Sequence, residues 1–185
     1  PWIAEGDGQF FKGFTNAPTP NFRYPTALAN QFAGMDLNGT APMNLNTAEI
    51  TIIINSSYNS PLYLSIDGHP GATQVDLVTV FLQLITRGLG FLSSANSSCP
   101  GACWWGGPKI YDSFIATGNN QLITDATLFP PFSQALDLAF TSDNLYFIGP
   151  KAIMANSGMA PKISAPNIFL VGSVLRYLDE TPLSF

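Results

Sequence analysis

The side chains able to move protons, attack carbonyls or hold metal ions are few in this sequence and far apart. The single histidine, His69, lies in the turn-like stretch "DGHPG". One imidazole makes neither a zinc site nor a nucleophile–base pair with its orienting third group, so a turn role is expected for it. Asp179 and Glu180 are adjacent; they diverge on a strand and are offset on a helix, whereas acid–base catalysis by paired carboxylates needs two groups facing one substrate. Asp76 and Asp112 stand alone, and helix capping, turn bonding or pairing with Arg87 is the expected use of such acids.

The only two cysteines are Cys99 and Cys103, in "SSCPGACWW". Pro100 and Gly101 permit a tight turn, so a local disulfide ring is favoured over free thiols, and a metal site would need further ligands that the neighbourhood lacks. A disulfide there points to an oxidising compartment. Trp104 and Trp105 directly follow; they could form a platform for stacking carbohydrate, although paired tryptophans beside a loop more often anchor a core or an interface. Asn38, Asn55 and Asn96 each open an Asn-x-Ser/Thr triplet that could accept an N-linked glycan in a secreted eukaryotic chain. "GLGF" and "GGP" lack the spacing and the basic residue of a phosphate loop.

Composition narrows the setting. Only 10% of the 185 residues are charged and 46% are hydrophobic, with 14 phenylalanines. Asn, Ser, Thr and Gly must therefore cover much of the surface, which suits an extracellular protein or one buried against neighbours, where few charges need desolvating on contact. A net charge of -5 and an isoelectric point near 4.5, with no run of Lys or Arg, exclude the electrostatic attraction that nucleic-acid binding requires. The longest apolar run, around Val78–Leu82, falls well short of the roughly 20 residues of a membrane-spanning helix. With no signal-peptide pattern at its beginning, Pro1 is expected to be a processed or trimmed start.

The elements follow from patterning. Residues 1–24, with "GDGQFFKGFTNAPTPNF", read as an irregular arm anchored by Phe10, Phe11, Phe14 and Phe22, packed on its own domain or docked on another subunit. Residues 25–185 read as one domain. Pro25 near its start and Leu28, Phe32 and Met35 at helical intervals predict a short helix over 25–35. "AEITIIINSS" predicts a strand buried on at least one face, with a second near Leu62–Ile66. "TQVDLVTVFLQLITR", residues 73–87, has no Gly or Pro and is apolar nearly all round, which predicts a buried helix stopped by Gly88. The remainder is turn-rich, with scattered apolar residues.

In a helix, residues i and i+4 share a face, so His-Glu-x-x-His presents two imidazoles to one Zn²⁺ and places the Glu beside the bound water as general base. Here those positions hold Gln83, Leu84 and Arg87. An amide is a poor zinc ligand, a leucine moves no proton, and a guanidinium is a permanent cation that does not ligate.

"DLVTVFLQLITRGLGFLSS" resembles the "DxVTVxLHExxHGLGF" stretch of a family of secreted zincin metallopeptidases. The resemblance continues in order through "AEITIIINSS" and "IDGHP" upstream, and through "IYDSFI", "FTSDNLYFIGPKAIMANSG" and "APKISAP" downstream. In "GSVLRYLDE", Tyr177 stands where the family's "SHLDE" carries the histidine expected as third ligand. The resemblance implies an α+β zincin-like metallopeptidase catalytic-domain fold, with a buried central helix on a small mixed sheet and long irregular loops. It also implies a degenerate member in which Gln83, Leu84, Arg87 and Tyr177 replace zinc ligands and base. The expected protein is a catalytically inactive extracellular one with no cofactor. Its expected role is that of a structural subunit binding copies of itself or other extracellular proteins, with a small polar plug of Gln83, Arg87 and Tyr177 in place of the metal. The alternatives are a glycan- or peptide-binding module using the former substrate groove, and a secreted hydrolase with an unrelated site.

Overall fold

The computed structural model describes residues 4–7, 9–39, 47–58, 61–168 and 175. The fold is α+β, with four helices and several small sheets among the described residues. The chain groups into two compact units, Pro1–Pro20 with Tyr24–Phe91, and Asn21–Arg23 with Leu92–Phe185.

In the first unit the segment expected to be irregular supplies two strands. β1 (Ala4–Asp7) pairs antiparallel with β4 (Thr51–Ile54), Ala4 opposite Ile54 and Asp7 opposite Thr51. β2 (Phe10–Phe11) pairs antiparallel with β3 (Tyr24–Pro25). Tyr24 is fully buried and receives the edges of Phe14 at 5.3 Å and Phe32 at 6.0 Å, so these aromatics pack on their own unit. β4 is rich in β-branched side chains, which suit extended backbone. Its burial is less than its sequence implies: Thr51 and Ile52 are half-buried while Ile53 and Ile54 are exposed, because its sheet has only two strands. β5 (Leu62–Tyr63) and β6 (Val75–Asp76) pair in parallel.

α1 (Thr26–Ala33) begins after Pro25 and ends where Gly34, at φ +67°, returns its N–H to Asn30 O. A left-handed residue after the last turn is the common way to satisfy terminal carbonyls. Thr26 and Ala29 form the buried face, and Phe32 and Met35 are exposed.

α2 (Leu77–Gly88) starts later than the pattern suggests, because Val75 and Asp76 are used in β6. The Asp76 carboxylate accepts from Val78 N at 3.2 Å, Thr79 N at 3.3 Å and Thr79 Oγ1 at 2.5 Å, satisfying two of the amides that a helix start leaves open. The predicted burial fails. Leu84 is the buried residue of the helix, whereas Leu82 is 59% exposed and Val78, Ile85 and Leu89 also face outward. One face lies against β1, and a two-stranded sheet does not encircle a helix. The helix ends at Gly88 as expected, although Gly88 is not a left-handed residue. Gly90, at φ +120°, follows the last turn, while a Cβ at Gly88 would meet three side-chain atoms of Ile50 at 2.6–2.7 Å. Gly88 is thus required for close packing.

In the second unit β7 (Ala95–Asn96) and β8 (Cys103–Trp104) form an antiparallel hairpin. A 3₁₀ turn at Ile110–Phe114 leads into β9 (Ile115–Thr117). α3 (Gln134–Phe140) is capped by the Ser133 hydroxyl. β10 (Leu145–Phe147), α4 (Pro150–Ala155) and β11 (Lys162–Ile163) complete an antiparallel sheet of order β11–β10–β9. Ile115, Ile123, Leu136, Phe140, Leu145 and Ile163 are completely buried. The part of the sequence with the most scattered apolar residues therefore holds the deepest core, because short strands and a short helix from distant positions each contribute one or two inward side chains.

Candidate functional site

On α2, Gln83 and Arg87 are one turn apart; Gln83 is exposed and Arg87 half-buried. Leu84, at the position the resemblance gives to a general base, is 4% exposed and points into its own unit. The exposure of Gln83 does not match an enclosed polar plug, and Tyr177, expected to complete it, lies outside the described residues, as do Asp179 and Glu180. Among the described residues no three His, Cys, Asp or Glu side chains come together as a metal site.

His69 stands in a turn held by Asp67, whose carboxylate accepts the His69 N–H at 3.0 Å and the Tyr63 hydroxyl. The Tyr63 bond and then the His69 N–H hold the Asp67 carboxyl below its usual value. The imidazole itself is exposed, as a turn residue's would be.

Cys99 and Cys103 form a disulfide that closes the β7–β8 hairpin loop. Ala102 O accepts the Phe132 N–H at 2.7 Å, and Gly101, at φ +75°, leaves room for the Phe132 carbonyl, which a Cβ would approach to 2.7 Å. The two tryptophans part. Trp104 sets its edge on Phe140 at 5.1 Å, anchoring the hairpin to the core, while Trp105 is 72% exposed. A joint stacking platform is therefore not formed. Of the three glycan acceptors, Asn55 and Asn96 accept the N–H two residues on, at 3.0 Å from Ser57 and 2.7 Å from Ser98. Asn38 Oδ1 instead accepts from Asn30 Nδ2 at 3.0 Å. No helix of the described residues is long and apolar enough to cross a membrane.

The most constrained polar group is Asp112, which is completely buried. As third residue of its 3₁₀ turn it reaches back to the Lys109 N–H at 2.8 Å. The same oxygen, Oδ2, accepts the Ser94 hydroxyl at 2.8 Å and the Ser94 N–H at 3.3 Å. Oδ1 is buried and takes none of these bonds. Burial pushes the carboxyl above its usual value; hydrogen bonding from Ser93, Lys109 and Ser94 opposes the rise. Burial, with the Asp112 charge added, also raises the Tyr111 phenol. Capping was foreseeable for a lone Asp in "KIYDSF", but its burial was not, since Ser94 reaches it from 18 residues away.

A groove of about 410 Å³ opens over the outer face of the β9–β10–β11 sheet, lined by Thr117, Gly118, Asn120, Tyr146, Ile148 and Met159. β10 positions it by strand alternation: Leu145 points into the core, so Tyr146 points out. The Thr117–Asn120 turn closes one end, with Asn120 N–H bonded to Thr117 O at 2.8 Å and Asn120 at φ +59°. Sequence reasoning missed this site; the two-residue period of "LYF" beside "TGNN" is the signal that marks it.

No family model matches the sequence, and the searches of curated proteins and of solved structures found no match either.

Proposed function

We infer that this chain is a secreted zincin-like protein without peptidase activity, used as a structural subunit that associates with copies of itself. One observation carries the reading. α2, which the resemblance aligns with a metal-binding helix, offers an amide, a buried alkyl chain and a guanidinium at the three key positions, yet turns Val78, Leu82 and Ile85 outward, with Leu89 exposed at its C-terminal cap. These lie at i, i+4, i+7 and i+11, the spacing with which one helix seats along another. Antiparallel pairing of two copies sets unlike ends together and opposes the helix dipoles, whereas parallel pairing sets like ends together. A second copy related by a two-fold axis is thus the occupant this face fits. The Cys99–Cys103 disulfide and the low charge support an extracellular setting.

Light scattering and sedimentation of the full chain over a range of concentrations test the association. Dimers or larger species are expected, and Leu82→Glu, at an exposed position, should shift them toward monomer. A strict monomer at every concentration would remove the assembly reading. Chelator-sensitive cleavage of casein or a peptide library would remove the inactive one.

A further inference from the structure

We propose that the groove over the β9–β10–β11 sheet binds a neutral sugar ring. The inference is independent of α2 and of the assembly reading. The volume, about 410 Å³, falls within the roughly 300–1,000 Å³ of small-ligand sites. Its composition sets the chemistry. The half-buried Tyr146 ring, with Ile148 and Met159 beside it, gives an apolar floor, while the Asn120 carboxamide gives a polar edge at the turn end, where the bordering Thr117 has its hydroxyl engaged by the Gln121 N–H at 3.3 Å. A pyranose has the matching form: a face of C–H groups that lies on an aromatic ring, and a rim of hydroxyls that donate and accept. A carboxamide does both in return.

Charge excludes the nearest rivals. No Lys, Arg, Asp or Glu lines the groove, so an anionic group, a phosphate or a uronic acid, would lose its water without gaining a counter-charge. Lys162, across the strand from Tyr146, has its ammonium 2.9 Å from the Asp143 carboxylate. A purely aliphatic ligand would use the floor and make no use of the Asn120 carboxamide. The floor is also firmly built. Tyr146 is on the central strand of the sheet, flanked by Ala116 and Lys162, so its ring is carried by a rigid element, as a binding constellation should be.

The test uses the full chain and a panel of neutral methyl glycosides of glucose, mannose, galactose and N-acetylglucosamine. Saturation-transfer NMR gives the binding and chemical-shift titration the affinity. At least one neutral glycoside is expected to bind, with its ring C–H protons receiving the most saturation. Tyr146→Ala should abolish binding and Tyr146→Phe should retain it. Asn120→Ala, at an exposed turn, should weaken it about fivefold, the value of one hydrogen bond. Trp105→Ala, which removes an exposed aromatic outside the groove, should leave it unchanged. The proposal is overturned if no neutral glycoside binds, if N-acetyl-leucinamide or galacturonate binds more tightly than all of them, or if binding is lost with Trp105→Ala and kept with Asn120→Ala.

Discussion

Replacing Asp112 separates the two ways in which a buried carboxylate acts on this fold. Asp112→Ala leaves the Ser94 and Lys109 N–H groups, now bonded at 3.3 and 2.8 Å, without their acceptor; the Ser94 hydroxyl can turn elsewhere. An unmade hydrogen bond at a buried donor costs about 1–3 kcal/mol, so the alanine variant should lose about 2–6 kcal/mol, a large fraction of the roughly 5–15 kcal/mol that holds a domain folded. Asp112→Asn differs. Its amide oxygen takes the position of Oδ2 and keeps those bonds, while its NH₂, at Oδ1, becomes a buried donor without an acceptor. The asparagine variant should therefore lose about 1–3 kcal/mol, less than the alanine variant.

The pH dependence has a definite sign. Burial raises the Asp112 carboxyl in the folded chain above its value of 3.8 when free, so between those two values the folded state binds more protons than the unfolded one. Its contribution to stability is present below the free value and is lost as pH rises through the folded one. Asp67 and Asp125 are shifted the other way, by hydrogen bonds from Tyr63 and Thr127 first, and both are present in parent and variant alike. Urea unfolding, followed by near-ultraviolet circular dichroism and by the fluorescence of Trp104 against Phe140, should therefore show Asp112→Asn gaining on the parent as pH rises from about 4 toward 7. If the parent gains on the variant instead, the ionised carboxylate is favoured inside the fold and the reasoning about its burial is wrong.

Gly88→Ala should destabilise the first unit by about 1–2 kcal/mol, the overpacking against Ile50 exceeding the helix-propensity gain; pairing it with Ile50→Ala in a double-mutant cycle should recover most of that, and strict additivity would refute the contact. Reducing the Cys99–Cys103 disulfide should cost only about 2 kcal/mol, because the loop it closes is short, read as a lowered unfolding midpoint with a retained far-ultraviolet spectrum. Lys162→Ala, which removes a partly exposed ion pair to Asp143, should change stability by less than about 1 kcal/mol.

Particular residues explain how far the sequence could be read. Helix α1, the strand of isoleucines, the Asp76–Gly88 region, the disulfide and the turn role of His69 follow from local rules, namely period, cap and loop length, and these need only a few neighbouring residues. Burial does not follow, because it depends on what lies across from a face. Leu82 and Ile53 belong to the most apolar runs in the chain and are exposed, since a two-stranded sheet and a single helix supply too few layers to cover every side. Asp112 carries a charge and is completely buried, since Ser94 and Lys109 bring donors to it from separate segments. The same limit hid the groove. Tyr146 reads as one more aromatic until β9 and β11 are placed on either side of it, and only then does its outward ring become a floor with Asn120 and Thr117 at its edge. Chemistry held within one turn is thus open to inspection in the sequence, and chemistry assembled across strands becomes visible when the register is known.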